Sequence, residues 1–277
     1  MAIQGMTKIL FIGDIVGRGG RRALREVLPQ WKQKYKPDVT IVNVENIAHG
    51  KGVTVNTLVN IDDLGIDAYT TGNHAFDKKE LSSAAFEKYE NLIRPANYES
   101  LGEEKSAVPG HGYYRFSKNG QHYLILNFNG TVFFEKQFPG EISNPFIAVD
   151  SLLTEQKQNG DIIIVDLHAE ATSEKVSFGY HCDGRVTAVL GTHTHIPTAD
   201  ARVLPGGTAY ITDVGMTGAR DSVLGVKKEN ALVKFLDPNQ RFKYDIDEEG
   251  LMMINGVIIE ADETGKAIEI QKLYQEI

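Results

Sequence analysis

The chain is poor in cysteine: among 277 residues the only one is Cys182. No internal disulfide can form, and a thiolate cluster cannot hold a metal. Any metal site must therefore be built from imidazole, carboxamide and carboxylate groups. A single thiol fits a reducing compartment. Long apolar runs are missing too. No window approaches the ~20 apolar residues of a membrane span. The opening stretch MAIQGMTKIL lacks a basic run followed by a sustained apolar one, so no signal peptide is expected and the expected location is cytoplasmic. An excess of positive charge is also absent. With 29 basic against 37 acidic residues the net charge is −8, which argues against gripping nucleic acid by bulk charge. It leaves room for a small phosphorylated substrate, because the charge of a bound metal outweighs a weak net field locally.

What is present reads as a soluble α/β chain. A hydrophobic content of 42% and a charged content of 24% are ordinary for a globular protein of this length. KILFIGD, PDVTIVNVEN and IDAYTTGN read as strands separated by helical stretches. The first helix, Gly17 to Tyr35, has Leu24, Val27, Leu28 and Trp31 at helical spacing, and Pro29 is expected to kink or end it. Within it GRGGRR reads as a solvated turn, not a P-loop, since no Gly-Lys-Ser/Thr follows. Two β-rich runs flank Asn119-Gly120, a hairpin signal. DIIIVDLH, RVTAVLGTHTH and GGTAYITDVG are further strands, and RFKYDI, LMMINGVIIEAD and KAIEIQKLYQ read as antiparallel ones. Glu99 to Pro109 and Phe134 to Pro145 read as loops. The expected architecture is one domain over residues 1–277, with two mixed β-sheets face to face and helices outside.

Chemistry-bearing residues collect at the strand ends. The strands finish at Asp14, at Glu45-Asn46, at Asn73-His74, at Asp166 and His168, and at His193 and His195. In open α/β sheets ligands bind beyond the carboxyl ends of the strands. Parallel neighbours would bring at least two acids, two carboxamides and four of the eight histidines to one edge. GTHTH places two imidazoles one residue apart, and on an extended backbone they would point the same way as a metal claw. Seven or eight candidates are enough for two ions. Mixed oxygen and nitrogen donors favour Mn, Fe, Co or Zn over Mg or Ca. Asp166 would either orient His168 or be buried elsewhere.

The pattern resembles the calcineurin-like metallophosphoesterases: GD after the first strand, GNH after the third, a strand-end His, then GTHTH. It departs from the usual Asp-x-His, Gly-Asp and Gly-Asn-His-Asp/Glu motifs. Val16 stands where the first His is expected, Glu45-Asn46 replaces Gly-Asp, and Ala75 follows His74, with Asp77 coming later. With GDIVGRGGRRAL, KPDVTIVNVENIAHGKGVT, RPAN, DLHAEATSEK, GTHTHIPTAD and GGTAYITDVGMTG, the chain resembles the YmdB-like subfamily along almost its whole length.

The resemblance implies a four-layer αββα sandwich and a dinuclear site, with two divalent ions, Fe or Mn foremost and Zn or Co next. One ion would take Asp14, Glu45, Asn46 and His195, and the other Glu45, Asn73, His168 and His193, with Glu45 bridging. Asn46 is included because Val16 leaves a ligand position to fill. His74 would stand beside the phosphate as the catalytic histidine. The implied reaction is hydrolysis of 2′,3′-cyclic and 3′,5′-cyclic nucleotides by attack of a bridging hydroxide on phosphorus. The alternatives are a phosphomonoesterase or nuclease with the same core, or a nucleotide-binding regulatory protein. No membrane partner is expected, and self-association is implied by the resemblance alone.

Overall fold

Two six-stranded sheets lie face to face in the computed structural model, which describes residues 6–101, 107–134, 140–237, 239 and 243–277. The first half runs β1 (Thr7–Ile12), α1 (Gly17–Tyr35), β2 (Val39–Asn43), α2 (Val55–Val59), β3 (Ala68–Thr70), α3 (Glu80–Lys88), β4 (Tyr98–Leu101), β5 (Tyr113–Lys118) and β6 (Gln121–Asn129). The second half runs β7 (Gly140–Ile142), α4 (Pro145–Gln156), β8 (Ile162–His168), α5 (Thr172–Cys182), β9 (Ala188–Thr192), β10 (Arg202–Val203), β11 (Ala209–Ile211), β12 (Gly218–Ala219), α6 (Lys228–Leu236), β13 (Met252–Ala261) and β14 (Ala267–Glu276).

In the first sheet β1, β2 and β3 are parallel, and β13 pairs antiparallel with β1, β12 and β14. The second has the order β10-β11-β9-β8-β6-β5, in which β6, β8, β9 and β11 are parallel. Alternation along the strands explains the layering. In β1, Ile9 and Phe11 face the space between the sheets, while Leu10 and Ile12 face α1. In β8, Ile162 and Ile164 face the same inter-sheet core, and Ile163, Val165 and Leu167 face α4 and α5. Both faces of each central strand are covered, so these strands read as unbroken apolar runs. The result is the expected αββα sandwich. The hairpin also forms as read: Asn119 and Gly120 take φ of 53° and 81°, as a two-residue type I′ turn requires.

Several expectations are corrected. Helix α1 continues through Pro29 to Tyr35. Proline removes one backbone donor, but Leu24, Val27, Leu28 and Trp31 on both sides of it bury in one core, and that packing outweighs the lost bond. GRGGRR is no solvated turn: it opens α1, and Gly20 is buried where an added Cβ would stand 2.4 Å from the Thr217 carbonyl oxygen. Of RFKYDI, Arg241 and Phe242 lie outside the described residues, and Lys243 to Ile246 form no strand beyond a bridge from Ile246 to Val226. The two expected loops carry a short ladder of β4 with β7, and their residues 102–106 and 135–139 lie outside the described residues.

Truncating the inter-sheet core tests this layering. Ile164→Ala, at a fully buried site, is expected to lower unfolding free energy by about 2–5 kcal/mol. Ile268→Ala, 53% exposed on β14, should stay within about 0.5 kcal/mol of the parent in urea denaturation.

Candidate active site

Strands β1, β2 and β3 of one sheet and β8 and β9 of the other end at a common edge, where hydrogen bonds cross between the sheets. Asn43 Nδ2 donates to Asp166 Oδ2 at 2.8 Å, and the His193 amide donates to Asp14 Oδ2 at 3.3 Å. All eight residues chosen from the sequence stand at this edge. His168 Nε2 lies 2.9 Å from Asn73 Oδ1, 3.1 Å from His193 Nδ1 and 3.5 Å from Glu45 Oε1. His195 Nε2 lies 3.2 Å from Asn46 Oδ1. The His74 amide donates to Glu45 Oε1 at 2.6 Å.

The surrounding partners decide which of these atoms carry protons. Asn43, Thr70 and Thr192 all donate to Asp166. With its hydroxyl proton spent on Asp166, Thr192 Oγ1 accepts from His168 Nδ1 at 2.9 Å, which leaves His168 Nε2 a bare lone pair. His193 Nε2 donates to Glu170 Oε2 at 2.9 Å, so His193 Nδ1 is bare. His195 Nδ1 donates to the Leu224 carbonyl at 3.1 Å, so His195 Nε2 is bare. The Asn46 amide donates to the Gly50 carbonyl at 2.9 Å and presents its oxygen to His195. Asn73 likewise turns its nitrogen to His74 Nε2 and its oxygen to His168. Lone pairs therefore face lone pairs across gaps of about 3 Å.

Charge compensation is missing as well. Among the described residues Asp14 Oδ1 and Glu45 Oε2 are buried with no hydrogen-bond partner. Burial, with the charge of Asp213 second, raises the Asp14 carboxyl to about 7. Burial raises Glu45 well above the usual carboxylate range and drives His168 well below the usual imidazole value. Among the described residues no three His, Cys, Asp or Glu groups form a ready cage. A set of inward-facing acceptors with two unpartnered buried carboxyl oxygens is nonetheless a donor set that fits divalent cations.

The histidine pair reaches the site by a different route from the one expected. Strand β9 stops at Thr192, and His193 and His195 take φ of 93° and 66°. They are loop residues held in left-handed backbone, not neighbours on an extended strand. A buried ion pair holds that loop. Lys175 Nζ donates to the Thr192 carbonyl at 2.6 Å and to Asp213 Oδ2 at 2.7 Å, and Asp213 Oδ2 accepts from the Thr194 amide and hydroxyl. Sequence reading missed Lys175, Asp213 and Thr192. Asp213 was findable as one more strand-end acid after β11, whereas nothing in TSEK marks its lysine as buried.

Three further residues find their places. Asp77 Oδ2 bonds His74 Nδ1 at 2.8 Å, so the acid, three residues after the histidine instead of next to it, reaches the imidazole through a turn. Val16, where the family pattern has a histidine, packs with Met216, Val226 and Ile246. Glu170 joins the site through His193.

Comparison with known proteins places the chain in two steps. A solved calcineurin-like phosphoesterase from Bacillus subtilis, YfkN, shares the fold: TM-score 0.60 at 10% identity, covering 98% of this chain and 90% of that one. The architecture is thus that of the calcineurin-like phosphoesterases. The YmdB-like protein family model matches residues 10–273, and the chain belongs to that family. It is 42% identical over 267 residues to the 2′,3′-cyclic-nucleotide 2′-phosphodiesterase of Bacillus subtilis (strain 168), covering 96% of both chains. A solved structure described as a novel phosphatase of Mycoplasma pneumoniae superposes with TM-score 0.88 at 33% identity, covering 98% of this chain and 94% of that one.

Two outcomes are expected. Lys175→Met leaves Asp213 buried without its cation and should cost about 3–5 kcal/mol in chemical denaturation. In chelated protein Asp14, Glu45 and Asp166 all have raised pKa values, so the folded state holds protons that the unfolded chain has released. Stability should therefore fall as pH rises from about 4 to about 7. Added divalent metal should shrink that slope, read as the urea midpoint against pH.

Proposed function

We propose that this chain is a metal-dependent phosphodiesterase that hydrolyses 2′,3′-cyclic nucleotides, and 3′,5′-cyclic nucleotides as second substrates. The observation that carries the reading is the meeting of bare acceptor atoms at the strand edge, beside two buried carboxyl oxygens with no partner among the described residues. The name of the relative from Bacillus subtilis supports the substrate class.

His168, His193, Asn73 and Glu45 would hold one cation, and Asp14, Asn46, His195 and Glu45 the other. Fe or Mn is favoured by the mixed nitrogen and oxygen donors, with Zn or Co next. When bound, such ions neutralise phosphoryl charge and acidify a water to near-neutral pKa. The chain's own residues do the rest. Thr192 with Asp166, Glu170 and Leu224 each fix one imidazole with its bare nitrogen inward. Asp77 holds His74 by Nδ1. His74 Nε2, which faces the Asn73 nitrogen, would take up a proton from solvent and pass it to the leaving oxygen as the ester bond breaks. Glu45 Oε1 positions the His74 backbone through its amide, which couples the acid to the cation site.

The test is a panel of 2′,3′-cyclic AMP, 3′,5′-cyclic AMP, bis-p-nitrophenyl phosphate and p-nitrophenyl phosphate, assayed with Mn²⁺ and after chelation. Metal-dependent cleavage of the diesters is expected. Glu45→Gln should abolish it. His74→Ala should keep its metal content by elemental analysis and lose a factor of about 10²–10⁴ in rate. Cleavage confined to the monoester, for which the phosphatase description of the Mycoplasma pneumoniae structure is the precedent, would overturn the reading. Activity indifferent to chelation would do so as well.

A further inference from the structure

A cavity of about 470 Å³ opens onto the strand edge, large enough for a small ligand. Its two sides differ in chemistry. Asn46, His74, Glu170, His193 and His195 form a polar floor. Val223, Leu224, Phe235 and Tyr244, with Lys234 and Lys51 among them, form a wall in which apolar and aromatic groups predominate. Apart from Lys51, the wall comes from the segment between β12 and β13, which includes α6, a helix absent from the sequence reading.

The wall is tied to the floor at two points. The Gly50 carbonyl accepts from the Tyr244 hydroxyl at 3.3 Å and also from the Asn46 amide that aims the Asn46 oxygen. Leu224 lines the wall with its side chain, while its carbonyl fixes His195 Nδ1. The ring of Tyr244 is thus referenced to the same turn as the floor, and the Lys51 ammonium lies 4.8 Å from its centroid. Phe235 has another origin. Ala231, one turn earlier on α6, buries against Val16, Met216 and Val226. The same helix face then carries Phe235 out to the cavity, where it remains 75% exposed. A ring that exposed contributes little to folding, yet it lines the same cavity as the polar floor.

We propose that this wall is a nucleobase subsite: with the phosphate at the strand edge, the base of the nucleotide lies against Phe235 and Tyr244. The inference rests on the phosphodiesterase reading and adds the part of the substrate that the wall selects. Every base presents a π-face to an aromatic platform, so the subsite favours nucleotides over base-free phosphates and discriminates little among the four bases.

The probe is binding of adenosine 3′-monophosphate against glycerol 2-phosphate to metal-loaded protein, measured by calorimetry for the parent, Phe235→Ala and Phe235→Tyr. The parent should bind the nucleotide at least about 10-fold more tightly than the base-free phosphate. Phe235→Ala should erase most of that preference with unchanged binding of glycerol 2-phosphate and unchanged melting temperature, and Phe235→Tyr should restore it. Equal binding of the two phosphates by the parent overturns the subsite, as does a Phe235→Ala variant that keeps the preference or loses both ligands alike. Hydrolysis of 2′,3′-cyclic AMP and glycerol 1,2-cyclic phosphate is assayed alongside. A parent that prefers the nucleotide in binding but cleaves neither diester retains the subsite and sinks the proposed reaction.

Discussion

Two carboxyl groups, Asp14 and Glu45, are buried between two sheets with an oxygen each left unpartnered among the described residues, and the rest of the site is arranged around that deficit. Burial of an unpaired carboxylate is among the costlier things a fold can do. Backbone amides of His193 and His74 donate to one oxygen of each, but the side chains at the edge bring no donor to the other. They present His168 Nε2, His193 Nδ1, His195 Nε2 and two carboxamide oxygens, all acceptors. An acceptor-lined site of this kind fits a cation, and the hydrogen bonds behind it keep donors turned away.

Those supporting bonds form two systems. Asp166, Thr192 and His168 make a chain that sets one tautomer, and Asn43 and Thr70 anchor it from the opposite sheet. Lys175 and Asp213 make a buried ion pair beneath the loop that carries His193 and His195 in left-handed backbone. Strained backbone persists where its surroundings over-determine it, and here the Thr192 carbonyl and the Thr194 amide and hydroxyl are all claimed by that pair. The wall of the cavity is fastened to the same framework through Gly50 and Leu224. Rigidity at the floor and placement of the aromatic wall are therefore not independent properties.

Much of this was determined by the sequence alone. Short unbroken apolar runs, helical stripes such as Leu24, Val27, Leu28 and Trp31, and the Asn119-Gly120 turn are local signals, and local backbone preference is enough to read them. Parallel strands then force their carboxyl ends to one edge, so Asp14, Glu45, Asn46, Asn73, His74, His168, His193 and His195 could be grouped without coordinates. What only the tertiary structure decided depends on contacts between residues far apart in the chain. Pro29 sits within an unbroken helix because the core on either side holds it. Asp77 reaches His74 through a turn whose shape the sequence does not state. Lys175 looks like a solvated helical lysine until Asp213, 38 residues later, buries against it. The protonation of each imidazole, and with it the direction in which each bare nitrogen points, is settled by partners such as Leu224, 29 residues from His195, because a tautomer is a property of the hydrogen bond at the ring's other nitrogen and not of the residue itself.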